Sequence, residues 1–339
     1  MKKLFIATCA LASLFYGCSK SKTSNVTPTQ TGGVTTYVGN GTAGLVDASG
    51  TGAELNLPVD MAVDVAGNLY ISDKGNNVIR KVAPGGSVST FAGNGTAGYK
   101  DGAGTVAEFN GPEGIVIDET GNLYVSDSQN NVIRKITPAG LVSTYAGNGS
   151  LGLVDGPAAT AEFAEPNGLA IDKARNIYVA DFFNNVIRKI ASDGTVTTYA
   201  GTGLAGKADG VAASASFHNP SGLTIDGSSN LYVAEATNNA IRQITPGGQV
   251  STFATVNAGP IRVTIDGSSD LFASCNNNTI QKITNAGVVS TYAGDGTPGY
   301  EDSSLLSSEF NTPAGVIANS QGVIIVADYN NNRIRVVTP

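Results

Sequence analysis

Few side chains in this 339-residue sequence could do chemistry, and most of them fall at one place in a repeating pattern. Six prolines each open a similar unit: Pro58, Pro112, Pro166, Pro220, Pro260 and Pro313. One or two residues after five of them stand polar side chains, namely Asp60, Glu113, Asn167, Ser221 and Arg262. Carboxylate and amide oxygens can hold calcium or another divalent ion, and all five groups can hydrogen-bond an organic ligand. They form either a ligand-contacting ring or a set of solvated side chains.

Zinc chemistry and nucleophilic catalysis have little support in the sequence. His218 is the only histidine, and it occupies a loop position that other units fill with asparagine or alanine. A zinc site needs three or four histidine, cysteine or carboxylate ligands, and a Ser-His-Asp triad needs a histidine beside a nucleophile. The sequence therefore predicts no catalytic residue and no cofactor. A calcium or other divalent ion remains open, with no metal ligand assigned.

The elements that position these residues are short strands. The opening prolines are spaced by 54, 54, 54, 40 and 53 residues. The second unit divides into four strand-like stretches, 114–118, 123–127, 132–136 and 141–145, which are separated by turn-forming residues. Four-stranded sheets of this kind bury both faces when they are arranged radially. The pattern predicts an all-β, six-bladed β-propeller of four-stranded antiparallel blades. Residues 34–38 match the fourth strand that the last unit lacks, so the N-terminal strand should close the last blade.

Three segments of the second unit carry a family resemblance. Gly-Asn-Leu-Tyr-Val-Ser-Asp, Asn-Asn-Val-Ile-Arg-Lys-Ile and Val-Ser-Thr-Tyr-Ala-Gly resemble NHL repeats, and the resemblance covers residues 34–339. It implies the propeller architecture but no single activity, since NHL propellers include nucleic-acid binders, protein-interaction domains and a lyase. A related group, the gluconolactonase-like propellers, holds a divalent ion with channel carboxylates and amides. Asp60, Glu113 and Asn167 are the right residue types for that alternative.

Carboxylates and arginines repeat from unit to unit. The second strand ends in Asp73, Asp127, Asp181 and Asp328, and the third contains Arg80, Arg134, Arg188, Arg242 and Arg335. Such repetition favours a structural ion pair in each blade over calcium binding, which needs several converging oxygens. The fifth unit has Cys275 and Gln281 at these positions and a shortened connecting loop. The joint loss supports the pairing.

Positions that differ between units are where a particular function can reside. The turn after the second strand varies most, and it contains Phe182 and Phe183 in the third unit and Tyr329 in the sixth. Exposed aromatic side chains either pack against a neighbouring loop or contact a partner. The candidate binding residues are Asp60, Glu113, Asn167, Ser221, Arg262, Phe182, Phe183 and Tyr329.

The N-terminus indicates export. Residues 1–17 combine two lysines with an apolar run, as signal peptides do, and the Gly17-Cys18 pair resembles the lipobox of bacterial lipoproteins. We expect lipidation at Cys18, with ordinary cleavage after a residue such as Ala12 as the alternative. Residues 18–33 have the composition of a flexible tether, and residues 34–339 form the propeller. The expected location is the bacterial cell envelope, anchored to the membrane through the lipid and facing the periplasm.

These features predict a binding or scaffolding protein. The formal net charge is −7 with no basic cluster, which argues against a nucleic-acid partner. We expect a monomer that recognises a protein, peptide or glycan of the envelope through its loop-rich face. The alternative is a metal-dependent lactonase, although the sequence favours a protein that is not an enzyme.

Overall fold

The computed structural model describes residues 32–319 and 322–339, and these form six antiparallel sheets. The first strand of each sheet contacts the first strand of the next, and the last contacts the first, so the sheets close into a ring. The predicted all-β, six-bladed propeller is therefore confirmed. The predicted signal peptide, Cys18 and nearly all of the tether lie outside the described residues. Within those residues, no helix has the length and apolar character needed to cross a membrane.

The blades follow the chain in order, with one exception at the N-terminus. Blade 1 contains Pro58–Val63, Leu69–Asp73, Val78–Val82 and Val88–Ala92. Blade 2 contains Pro112–Ile117, Leu123–Asp127, Val132–Ile136 and Val142–Ala146. Blade 3 contains Pro166–Ile171, Ile177–Asp181, Val186–Ile190 and Thr195–Ala200. Blade 4 contains Gly222–Ile225, Leu231–Glu235, Ala240–Ile244 and Gln249–Thr255. Blade 5 contains Pro260–Ile265, Leu271–Cys275, Ile280–Ile283 and Val289–Ala293. Blade 6 contains Pro313–Ala318, Ile324–Asp328, Arg333–Thr338 and the N-terminal Gly33–Val38.

Short elements occupy the turns and connections. Single 3-10 turns lie at Gly50–Gly52, Lys74–Asn76, Gly104–Val106, Ser128–Asn130, Leu305–Ser307 and Tyr329–Asn331. Two-residue strands, Gly156–Pro157 and Gly210–Val211, pair with the outermost strands of blades 3 and 4. These two blades are therefore five-stranded, which corrects the expectation of four strands throughout. The extra pairing arises because the connecting loop runs beside the otherwise free outer edge.

The N-terminal strand closes the ring as predicted. Gly33–Val38 pairs antiparallel with Arg333–Thr338, starting one residue earlier than expected. In blade 2 the second and third strands have the predicted bounds, whereas the first begins at Pro112 and the fourth is shifted by one residue. Strand alternation places apolar side chains on both faces, and they pack between neighbouring blades rather than in a single centre.

Each long connecting loop is fixed to the blade that follows it by an apolar side chain. The loops before blades 1, 2, 3, 4 and 6 insert Leu55, Phe109, Phe163, Phe217 and Phe310, all fully buried. Each of these side chains packs in the core between two neighbouring blades and so anchors its loop. The connection before blade 5, residues 256–259, is only four residues long and buries the smaller Val256 in place of a leucine or phenylalanine.

A buried arginine provides the second attachment, and blade 2 shows its geometry. The Arg134 Nη1 atom donates to Asp127 Oδ2 at 2.6 Å and to the Glu108 carbonyl at 2.9 Å. Its Nη2 atom donates to Asp101 Oδ1 at 2.7 Å and to the Lys100 carbonyl at 2.9 Å. The guanidinium thus joins the end of the second strand to the connecting loop at two points. We call this arrangement the arginine clamp.

The clamp recurs in five blades, which confirms the predicted carboxylate–arginine pairs. The pairs are Asp73 with Arg80, Asp127 with Arg134, Asp181 with Arg188, Glu235 with Arg242, and Asp328 with Arg335. A glutamate, Glu235, takes the aspartate position in blade 4. Each arginine also binds a loop aspartate: Asp47, Asp101, Asp155, Asp209 or Asp302. Blade 5 has lost the arginine, the strand-end carboxylate and the loop together.

Replacement of Arg134 by glutamine, the residue of blade 5, should destabilise the fold by about 3–5 kcal/mol, because it leaves the Asp127 carboxylate buried without its counter-ion. Urea denaturation followed by circular dichroism measures the change. Lys100→Gln is the matched control, since that side chain is exposed and only its carbonyl binds Arg134. The control should change stability by less than about 0.5 kcal/mol. Equal stability of the two variants would contradict the proposed importance of the clamp.

Candidate functional site

The first strands of the six blades surround a central channel. This channel opens on the face that carries the long connecting loops, which we call the loop-rich face. The turns between second and third strands lie on the same face, since the Asn130 side chain donates to the Gly98 carbonyl of a connecting loop. A cavity of about 270 Å³ occupies this mouth, and residues of all six blades line it. We call it the mouth cavity.

The structure brings most of the predicted binding residues together. The mouth cavity is lined by Glu113, Asn167, Ser221, Arg262, Phe182 and Tyr329. Asp60 lies deeper, in a second cavity of about 220 Å³ that Arg262 also lines. Phe183 is not among the lining residues of the mouth cavity, and 52% of its surface is exposed. The non-repeating residues after the opening prolines thus converge with two of the three turn aromatics.

Arg262 crosses the channel. Its Nη2 atom lies 3.0 Å from Glu113 Oε2, although blade 2, which carries Glu113, is opposite blade 5 in the ring. Its Nε atom lies 3.7 Å from Asp60 Oδ2 of blade 1. The arginine side chain is 5% exposed and borders both cavities. The side chain therefore separates the mouth cavity from the deeper one and forms the floor of the mouth.

Only blades 1 and 5 have a side chain at the position of Asp60 and Arg262. In blades 2, 3, 4 and 6 the corresponding residue is glycine. A Cβ atom on Gly114 would overlap the carbonyl of Asn167, and one on Gly315 would lie 2.6 Å from the carbonyl of Val59. Close contact with the neighbouring inner strand therefore excludes a side chain at these four glycines.

Lys74 completes the floor, and sequence reasoning did not include it in the site. Its ammonium group forms an ion pair with Glu113, which thereby bridges Lys74 and Arg262. The sequence did contain an indication of this role, because Lys74 occupies the variable turn position that Phe182 and Tyr329 occupy in other blades. The charged groups are then Lys74 and Arg262, which are positive, and Glu113 and Asp60, which are negative when Asp60 is ionised. The floor therefore has no net charge.

The walls of the mouth combine apolar surface with a few hydrogen-bonding groups. Phe182 packs edge to face against Phe183, with ring centroids 5.1 Å apart. The Ser221 hydroxyl donates to the Ile261 carbonyl at 2.8 Å, so it links neighbouring blades. The buried Oδ1 atom of Asn167 accepts no hydrogen bond within the protein. It is a free acceptor for a ligand donor.

The carboxyl group of Asp60 has an unusual protonation equilibrium. Burial raises its pKa to about 6, while the Arg262 charge and the N–H groups of Met61 and Ile115 oppose the rise. The folded protein therefore binds this proton more tightly than the unfolded chain does. The resulting stabilisation is complete at low pH and is lost as the pH rises through about 6.

Comparisons with known proteins identify the repeat and the fold. An NHL repeat family model matches residues 109–136 and 310–337, which span the first three strands of blades 2 and 6. NHL repeat-containing protein 2 of Homo sapiens is 28% identical over 338 residues, covering 84% of this chain and 46% of that protein. The chain spans less than half the length of the first curated relatives it matches.

Solved structures share the architecture at low sequence identity. An auxiliary nutrient binding protein from Bacteroides ovatus matches with a TM-score of 0.67 and 16% identity, covering 91% of this chain and 76% of that one. A gluconolactonase from Xanthomonas campestris matches with a TM-score of 0.59 and 14% identity, covering 84% and 86%. At these identities the likeness shows the fold alone.

Asp60→Asn should change how stability depends on pH. Between pH 4 and pH 8 the wild type should lose up to about 3 kcal/mol of unfolding free energy relative to the variant. The reason is that the Asp60 carboxyl group loses its proton in this range, whereas the asparagine amide does not titrate. Urea denaturation at pH 4, 6 and 8 measures it. Glu119→Gln, an exposed carboxylate on the opposite face, controls for the loss of one charge. Parallel pH profiles for wild type and Asp60→Asn would contradict the raised pKa.

Proposed function

This chain is an NHL-repeat β-propeller of six blades, and we propose that it is a binding protein of the cell envelope that holds a protein, peptide or glycan at the mouth cavity. One observation carries the proposal: the cavity is lined by side chains that differ from blade to blade. Residues that repeat from blade to blade serve the clamps, which five blades contain, and the contacts between strands. The differing residues have no common structural task and converge on one concave site.

The chemistry of the mouth cavity suits recognition. Phe182 and Tyr329 offer apolar surface, Asn167 offers a free acceptor, and the paired charges of the floor offer both donors and acceptors. Ligand sites in proteins commonly combine an apolar lining with a few fixed polar groups. The groups are held by strands and short turns, so little ordering is needed on binding.

The position of the N-terminal strand supports presentation of this site from a membrane. Gly33 pairs with Thr338 at the end of the third strand of blade 6, on the face opposite the loop-rich face. A tether of residues 18–33 with lipid at Cys18, as the sequence predicts, would join the propeller on that opposite face. The mouth cavity would then point away from the anchoring membrane, towards a partner in the periplasm.

Substitution of Phe182 and Tyr329 by serine should reduce capture of the ligand at least about tenfold, because aromatic anchors in such pockets carry much of the binding energy. The purified protein and the variant are immobilised, exposed to solubilised envelope, and the retained components are quantified. Leu306→Ser, at an exposed leucine of the loop before blade 6, is the control and should retain capture. Identical retention by all three proteins would contradict binding at the mouth cavity.

The alternative, a metal-dependent lactonase, requires carboxylates that are free to hold a divalent ion. Here Glu113 is paired with both Lys74 and Arg262, and the Arg262 guanidinium lies between Glu113 and Asp60. Across residues 32–319 and 322–339, no three histidine, cysteine or acidic side chains are grouped closely enough to hold a metal ion. The residues of the mouth do not fit a divalent ion, because an arginine already supplies the positive charge.

Calcium, zinc or manganese should therefore leave the melting temperature of the wild-type protein unchanged, and a panel of lactones should show no turnover. Arg262→Ser should behave differently. Removal of the guanidinium leaves two neighbouring carboxylates without their shared counter-ion, so a divalent ion should raise the melting temperature of this variant. Scanning fluorimetry and a pH-indicator hydrolysis assay measure the two effects. Metal-dependent turnover that is lost in Glu113→Gln would instead establish the lactonase.

A further inference from the structure

We propose that the ligand held at the mouth cavity is an extended polypeptide whose apolar side chains lie on an exposed ridge at the boundary between blades 3 and 4. The ridge consists of Leu151, Phe183 and Leu204. The proposal rests on the proposed function and narrows it to one class of ligand and one path across the loop-rich face.

The ridge residues are large, apolar and exposed. Leu151 is 68% exposed, Phe183 52% and Leu204 74%. Single exposed apolar residues are common on protein surfaces, but adjacent ones usually mark an interaction site. Their adjacency is therefore the property on which the proposal depends.

The three segments that carry these residues meet. The Asn184 side chain donates to the Gly152 carbonyl at 2.7 Å, which joins the turn after Phe183 to the loop that contains Leu151. A Cβ atom built on Gly203, next to Leu204, would lie 3.7 Å from the Leu153 side chain and 3.8 Å from the Asn184 carbonyl. Two connecting loops and one turn thus form a continuous surface.

Comparison between blades shows that the fold does not require these apolar residues. The position of Leu151 is filled elsewhere by Ala43, Ala97, Ala205 and Pro298. The position of Leu204 is filled by Thr42, Thr96, Ser150 and Thr297. The position of Phe183 is filled by Gly75, Gln129, Thr237 and Asn330. Small or polar residues therefore suffice in the other blades, and the ridge is a local addition to the repeat.

The ridge is continuous with the mouth cavity. Phe182 lines the cavity and packs edge to face against Phe183, so this aromatic pair joins the mouth to the ridge. A ligand that uses both must place hydrogen-bonding groups in the mouth and apolar groups on the ridge. An extended polypeptide does so, because it carries amide groups along the backbone and apolar side chains at intervals.

A carbohydrate fits the ridge less well. Sugar hydroxyls need hydrogen-bond partners, and the side chains of Leu151 and Leu204 provide none. Aliphatic and aromatic side chains of a peptide, by contrast, lose water on this surface without leaving a polar group unpaired. A glycan, or a second copy of this chain, is therefore an outcome that the experiment must be able to show.

The test is selection of a phage-displayed library of random 12-residue peptides on the purified wild-type protein, with dissociation constants of the selected peptides from fluorescence anisotropy. We expect peptides with at least two large apolar residues. Their affinity should fall at least about tenfold in Phe183→Ser and in Leu204→Ser, as for anchor residues in other interfaces. It should be unchanged in Leu306→Ser, which removes another exposed leucine, 60% exposed against 74% for Leu204, from a different loop. Melting temperatures verify that all variants fold.

Three outcomes would overturn the inference: no enriched peptide, enriched peptides that bind both ridge variants as well as wild type, or self-association that the ridge variants abolish. Peptides or neutral oligosaccharides whose affinity depends on Phe182 and Tyr329, but not on the ridge, would leave the proposed function standing and remove this inference alone. Peptides whose affinity is unchanged both in the variants of Phe182 and Tyr329 and in the ridge variants would contradict the proposed function as well as this inference.

Discussion

The arginine clamp is the interaction on which the binding face depends. Arg134, for example, is fully buried and satisfies its charge with the buried Asp127 and the half-exposed Asp101. Breaking such a buried pair is costly, because the remaining charge has no access to water. The connecting loops are long and rich in glycine, so an unattached loop would be mobile. Two carboxylates and two carbonyls on one guanidinium hold the loop against its blade, and the loops form the rim of the mouth.

Blade 5 shows what happens when the clamp is absent. Its connecting loop is four residues long, Cys275 and Gln281 replace the ion pair, and no loop aspartate remains. The three parts have no separate use, since each charge would be buried or unpaired without the others. The connecting loop is consequently shortest at this blade. The same blade contributes Arg262, so the departure from the repeat coincides with the side chain that closes the channel.

Sequence reasoning predicted the fold and the clamp well because both are periodic. Strand bounds follow from alternation and turn residues, and every clamp arginine lies 7 residues after its strand-end carboxylate and 33 after its loop aspartate. The 33-residue spacing was available in the sequence and was overlooked. The contact between Arg262 and Glu113, 149 residues apart, follows no period. It depends on blades 2 and 5 being opposite in a closed ring, which only the full structure shows.

The division between repeated and unrepeated residues also explains the character of the mouth. Stability is carried by the clamps and by packing between blades, so the residues at the mouth are free to differ. Two of them, Asp60 and Arg262, occupy a position that is glycine in the other four blades, and Glu113 and Lys74 complete a floor without net charge. A neutral floor gives no long-range attraction to an ion of either sign. Selectivity between ligands must then come from hydrogen-bond geometry and apolar contact, the two features that the walls of the mouth provide.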